Sequence, residues 1–305
     1  LTLHYGLVPR SNRGIFAMNE LPDLAERIQV SLLNVLEERD VQVRGYKIRL
    51  PLDLFLVASA NPEDYTNRGR IITPLKDRFG AQIRTHYPPD VATELAIIRQ
   101  EVRPLSGPGL RVSVPDFMAE IVATLSQLAR SSSAVNQRSG VSVRLSVANF
   151  ETLVANATRR ALRSGEADVV PRVSDLEALT ASSSGKVEIE TLEEGKGEEV
   201  LERLVRSAVL AVFRARCQLE TMRDAVAAFE EGAALHVGDD VPSPAYVAAL
   251  SEVPALSPAV MSLAGAETPA AIASALELVL EGLHLSKRLN KDASGQRAVY
   301  RGRGG

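Results

Sequence analysis

The sequence predicts an α/β segment followed by a long, mostly α-helical region. Three observations carry that expectation. Two short apolar runs, 14–18 (GIFAM) and 53–58 (DLFLVA), read as buried strands, and a helical pattern lies between them. A Pro88-Pro89 pair closes this first stretch. From residue 90 onward the apolar residues recur mostly at helical spacing.

After the first run, Leu21-Pro22-Asp23 opens a helix in which Leu24, Ile28, Leu32, Val35 and Leu36 share a face. Asp23 and Glu26 lie near its start, where negative charge complements the helix dipole. Residues 40–50 (DVQVRGYKIRL) alternate around Gly45 and read as a β-hairpin, and 81–85 (AQIRT) reads as a short third strand. Val91, Leu95 and Ile98 then mark one helix face, 104–109 form a loop, and Pro115 suits the first turn of a helix over 116–130. The Ser/Asn/Gly-rich stretch 131–140 reads as a loop and 144–163 as a long helix. Residues 181–199 read as an acidic linker. Beyond it the pattern gives one or two amphipathic helices over 199–232 and a turn region over 235–244. Two further helices follow near 244–264 and 268–290, and then a polar Arg/Gly tail.

Composition narrows the function classes. The chain has 305 residues, of which 45% are hydrophobic, enough for a packed core in about two domains. Its 35 basic and 38 acidic residues give a net charge of −3, without the broad basic excess of a nucleic-acid binder. A local patch at Arg44, Lys47 and Arg49 on the hairpin stays open as a DNA or partner contact, beside the plainer reading of a solvated hairpin. A single cysteine, Cys217, excludes both a disulfide within the chain and a cysteine-based zinc site. No apolar run is long enough to span a bilayer, and the expectation is a cytoplasmic protein with no membrane partner. His4, His86, His236 and His284 lack metal-ligand spacing, and Asp239-Asp240 reads as a solvated turn.

Four constellations can carry chemistry. The first strand ends in Asn19-Glu20, and polar side chains at the carboxyl end of a buried strand build a site on the sheet edge. Nucleoside-triphosphate hydrolysis needs one group to help hold Mg²⁺, which Asn19 could do, and another to orient or polarise water, which Glu20 could do. The run 53–61 ends in Asn61, whose amide could donate to a γ-phosphate oxygen. Arg78, in PLKDRF, could reach a neighbouring subunit's phosphate. Arg144 begins the helix after Gly140-Val141-Ser142-Val143 and could lean over a nucleotide, with Ser142 a capping candidate. Each has a blander alternative: a strand ending in a loop, an Asn-Pro turn, a surface arginine paired with Asp77, or ordinary helix-start chemistry. Order and spacing are more specific than any one of them. Glu20 and Asn61 lie 41 positions apart with a helix and a hairpin between, Asn61 and Arg78 lie 17 apart, and the helix with Arg144 follows.

In that order RGIFAMNE (13–20) resembles the Walker B of AAA+ ATPases. SANPEDY (59–65) with ITPLKDRFG (72–80) is similar to the sensor-1 and arginine-finger stretch of magnesium-chelatase I subunits and MoxR-type proteins. The hairpin at 40–50 resembles that clade's pre-sensor-1 insertion, and GVSVRLSVANF (140–150) its sensor-2 helix. The resemblance covers about residues 1–165. It implies a partial AAA+ core at 1–88 lacking the P-loop strand and a helical lid at 89–180; the helical pattern beyond the linker makes 190–305 a helical C-terminal domain. It implies ATP and Mg²⁺ as cofactors, Glu20, Asn61 and Arg78 as catalytic residues, and Asn19 and Arg144 as nucleotide contacts, with Asn19 reaching Mg²⁺ indirectly. It also implies a homo-oligomeric ring working with a von Willebrand A domain partner.

Two departures qualify it. Asn19 stands where that family has Asp, and no G-x-x-x-x-G-K-[ST] phosphate loop occurs in the 305 residues. The chain opens on Leu1, and it reads as an excerpt of a longer product, cut upstream of that loop. In such a sheet the P-loop strand lies between the other two, so 81–85 is not expected to pair with 53–58. A chelatase-like or MoxR-like motor is the leading expectation. A transcription activator or DNA motor of the same superfamily and a non-catalytic interaction module are the alternatives.

Overall fold

The computed structural model describes residues 4–42, 49–61, 69–103, 107–136, 139–189, 196–295 and 297–303. The chain divides into two compact units, Leu1–His86 and Tyr87–Gly305.

In the first unit a short helix α1 (Leu7–Arg10) precedes β1 (Ile15–Met18), a 3-10 turn at Leu21–Asp23 and α2 (Glu26–Glu37). The α-helix expected from Leu21 starts only at Glu26, because the backbone at Leu24 and Ala25 is non-helical between the 3-10 turn and α2. The hairpin forms as β2 (Asp40–Gln42) against β3 (Arg49–Pro51), with Asp40 opposite Pro51. Its turn, with Arg44 and Lys47, lies outside the described residues. Then come β4 (Phe55–Ala58) and α3 (Thr73–Arg78).

Strands β1 and β4 pair in parallel, Ile15 with Phe55 through Met18 with Ala58. Side chains alternate across a strand, so this two-stranded ribbon has two faces. Met18 and Ala58 pack on the core of Leu21, Leu32, Ile71 and Leu75. The opposite face is open: Ile15 is 71% exposed, Phe55 68% and Val57 45%. Both runs were expected to be buried strands. Parallel strands usually have both faces covered, and here one face is bare. The third strand expected at 81–85 does not form, and those residues are exposed and belong to no helix or strand. Gln29, buried in α2, fastens the returning chain. Its Nε2 donates to the carbonyls of Leu24 (2.9 Å) and Arg70 (3.1 Å), and its Oε1 accepts from the Ile72 amide.

In the second unit α4 (Val91–Glu101) is capped by Asp90, whose carboxylate accepts from the Thr93 amide and is held below the usual carboxylate range by that bond. There follow β5 (Arg111–Val112), α5 (Asp116–Ser131), α6 (Val143–Ser164), β6 (Asp168–Val169), paired in parallel with β5, and α7 (Leu179–Ser183). The expected acidic linker is partly ordered: Val187 is buried and Ile189 bridges to Val135, while 190–195 lie outside the described residues. Next come α8 (Lys196–Arg216), α9 (Arg223–Glu230), β7 (Ala234–Gly238), α10 (Ser243–Glu252), α11 (Ser257–Ala264), α12 (Pro269–Leu285), β8 (Asn290–Ser294) and β9 (Arg297–Arg301).

Two expectations fail here. The turn region expected at 235–244 begins as strand β7, and the expected Arg/Gly tail is a hairpin, β8–β9. Together they form an antiparallel sheet in the order β7-β9-β8. Leu235 and Val237 face inward beside Ala298 and Tyr300, a period-2 pattern too short to stand out among helices. The segments expected as a lid and a separate C-terminal domain share one continuous core, from Leu95 through Phe213 to Tyr300. Its axis is α12, buried from Ala270 to Leu283. Gly282 is required there, because a Cβ would sit 2.1 Å from the Phe213 ring.

Candidate functional site

In the first unit the parallel register fixes the candidate site. With Met18 opposite Ala58, the next residues on the two strands, Asn19 and Ser59, leave the ribbon side by side. The Ser59 amide donates to Met18 O (2.8 Å) and the Leu21 amide to Ser59 O (2.9 Å), so the pairing outlasts the strands. The Ser59 hydroxyl donates to Asn19 Oδ1 and accepts from the Glu20 amide, each at 3.3 Å. Glu20 adopts a left-handed conformation, φ 52° and ψ 53°. For a residue with a Cβ that geometry costs roughly 1–2 kcal/mol. A strained residue at the carboxyl end of a parallel strand is the kind of outlier that points to a working site. The strain turns the chain directly into the 3-10 turn and leaves the Glu20 side chain exposed at the ribbon's edge. Gly69, φ 134°, brings the returning chain against this turn, where an added Cβ would lie 2.6 Å from Pro22 O.

Sequence reading did not find Ser59, Gln29 or Gly69. Ser59 sits inside the quoted motif, but its bridging role depends on register. Asn61 lies two residues past Ser59, exposed at the same strand end.

Arg78 ends α3. It is paired with Glu37, the last residue of α2, not with Asp77. Arg144 lies in the second unit, in the first turn of α6, exposed; Ser142 caps that helix by accepting from the Arg144 amide at 3.2 Å.

The residues can accommodate a hydrated metal–nucleotide better than a bare metal. Asn19 offers a single neutral oxygen that already accepts from Ser59, and Glu20 is the carboxylate beside it. Magnesium keeps most of its waters and takes its remaining ligands from one or two carboxylates and substrate phosphates. Among the described residues no three His, Cys, Asp or Glu side chains gather as a metal site.

The second unit has buried polar networks that the sequence did not announce. Glu94 is gripped by Arg130 (2.5 and 2.8 Å) and bonded by Ser146, while Arg130 also lies 4.7 Å from the Tyr87 ring. On α12, Glu277 accepts from the Ser174 amide and the Tyr246 hydroxyl, and Glu281 from Lys291 and Tyr300. They line a cavity of about 660 Å³. Burial, with the neighbouring carboxylates, pushes the Tyr246 and Tyr300 hydroxyls well above the usual range.

Residues 2–78 match the family model of the Sigma-54 interaction domain, an AAA+ family. The match spans about a quarter of the chain and covers β1, the strained Glu20, β4 and Arg78. Among curated proteins none matches the chain. The match supports an AAA+ ATPase; the magnesium-chelatase or MoxR subtype gains nothing from it, and the transcription-activator alternative does. Among the described residues no single helix is long and apolar enough to cross a membrane.

Proposed function

We propose that this chain carries part of an ATP-driven AAA+ motor of the transcription-activator kind, acting on a sigma-54 factor. The observation that supports it is the Sigma-54 interaction match over 2–78, falling on a parallel strand pair that presents Asn19, Glu20, Ser59 and Asn61 at one end. This places the activator reading ahead of the chelatase-like one. The latter rests on the quoted motifs and on the β2–β3 hairpin between α2 and β4.

In this reading Mg²⁺–ATP supplies the phosphoryl group to be cleaved. Glu20, aimed by its left-handed backbone, orients and polarises the attacking water. Asn61 donates to a γ-phosphate oxygen, and Asn19 holds the metal's water shell. Arg78 acts on the nucleotide of a neighbouring copy in a ring, and Arg144 couples nucleotide state to its helical unit.

The 305 residues hold no Gly-rich phosphate loop, so the chain by itself is expected to bind ATP weakly. Saturable micromolar ATP binding by it would contradict that expectation and would mean that the triphosphate is held without such a loop. The coding DNA upstream of Leu1 is expected to continue in frame through a strand and a Gly-rich loop ending in Lys-Ser or Lys-Thr. In the complete gene product Glu20→Gln should lower turnover by about 10²-fold or more, with nucleotide binding retained. Turnover abolished by that substitution would exclude a non-catalytic interaction module, absence of turnover in the unsubstituted protein would favour one, and turnover unchanged by it would overturn the role of Glu20. ATP-dependent activation of a sigma-54 promoter separates the activator from a chelatase-like motor, whose turnover would instead respond to a von Willebrand A domain partner.

A further inference from the structure

Arg78 and Glu37 are 41 positions apart in sequence and meet because the ends of α2 and α3 are packed together. Leu75, three residues before Arg78, is buried against Leu21, Leu32 and Ile71 and anchors α3. Arg78 Nε donates to Glu37 Oε2 at 2.8 Å, Nη2 donates to the same oxygen at 2.5 Å, and Nη1 donates to Pro74 O at 2.9 Å. Three of the guanidinium's donors are therefore engaged within its own unit. The pair is accessible, with the Arg78 side chain 29% exposed and that of Glu37 57%. An ion pair this exposed biases its equilibrium by no more than about fivefold.

We infer that Glu37 is a positioning residue that holds Arg78 in its own unit until a phosphate on a neighbouring copy takes the guanidinium over. This rests on the proposed trans-acting role of Arg78. Carboxylate and phosphate are alternative acceptors for the same planar fork of N–H donors, so the two engagements exclude each other. A developing phosphoryl charge at a subunit boundary, away from bulk water, is the stronger acceptor. A buried Arg–carboxylate pair would make the exchange costly, whereas this exposed one breaks readily. With Leu75 fixing α3, the exchange needs only side-chain torsions of Arg78.

The test measures ATP turnover against protein concentration for the complete gene product and its variants. Glu37→Gln should raise turnover two- to fivefold at concentrations where the ring is only partly assembled, with the thermal midpoint unchanged. Glu37→Asp, which keeps the charge, should return toward the wild type. Combining Glu37→Gln with Arg78→Ala should give the same low turnover as Arg78→Ala alone. If Glu37→Gln is no faster than the wild type, or only lowers the midpoint, while Arg78→Ala is inactive, the holding role is wrong. If Arg78→Ala keeps wild-type turnover, the trans-acting assignment itself fails and the holding role falls with it.

Discussion

The two units stabilise themselves in different ways. Residues 1–86 carry the strained glutamate and the motif chemistry on a small core around Leu21, Leu32, Ile71 and Leu75, with one face of the β1–β4 ribbon bare. Residues 87–305 carry little motif chemistry, yet bury a continuous core threaded by paired charges. Apolar burial grows with the size of a unit, so a small unit has little stability in reserve to hold a strained residue. The larger unit can bury ion pairs because it has the apolar mass to offset their desolvation. Chemistry and stability are thus placed in separate parts of the chain.

The largest expected effect tests the second unit. Arg160, on α6, donates to both carboxylate oxygens of Asp175 and to Val170 O, all buried. Arg160→Ala leaves Asp175 in the interior without its cation, a change that costs about 3–5 kcal/mol. Hydrogen exchange should show the loss across 87–305 while amides of β1 and β4 keep their rates. A matching loss in both units would mean that they unfold as one, and the contrast would disappear.

A smaller effect concerns pH. Burial pushes the Cys217 thiol up from its ordinary value to about 11. The unfolded chain releases that proton near the ordinary thiol value, and the folded chain keeps it to higher pH. Folding therefore has its full stability below pH about 9 and loses some as pH rises through about 11. Denaturation of Cys217→Ser should show about 1 kcal/mol less alkaline loss than the wild type, after discounting for solvent screening. Identical alkaline slopes would mean that the thiol is solvated in the folded chain.

The same division decides what could be read from sequence. Long periodic helices were legible: Val143–Ser164, with Ser142 as its cap, and Asp116–Ser131 stand where the pattern puts them. So were β1, β4 and the hairpin, whose apolar runs and alternation are local signals. Strand β7 and the β8–β9 hairpin were not, because their pairing partners lie about 60 residues away or in a polar tail. At the candidate site, Asn19, Glu20 and Asn61 were legible as polar residues ending apolar runs. Ser59 becomes visible only when register sets it beside Asn19, and Glu37 only when two helix ends meet. Each of these is a long-range contact between residues about 40 positions apart, with no local pattern to announce it.

The smallest effect tests the bare face. Phe55 and Ile15 are partners in the ribbon and both project from the uncovered side. A side chain that is already in water contributes little when it is removed. Threonine, being β-branched, favours extended backbone as the aromatic ring does, so Phe55→Thr should change stability by less than about 0.5 kcal/mol. The comparison that matters is with Leu75→Ala on the covered side, expected to cost about 2–5 kcal/mol. Should Phe55→Thr cost as much as Leu75→Ala in the complete gene product, the face is covered there. The ribbon's apolar side would then be part of a core after all, as parallel strands ordinarily require.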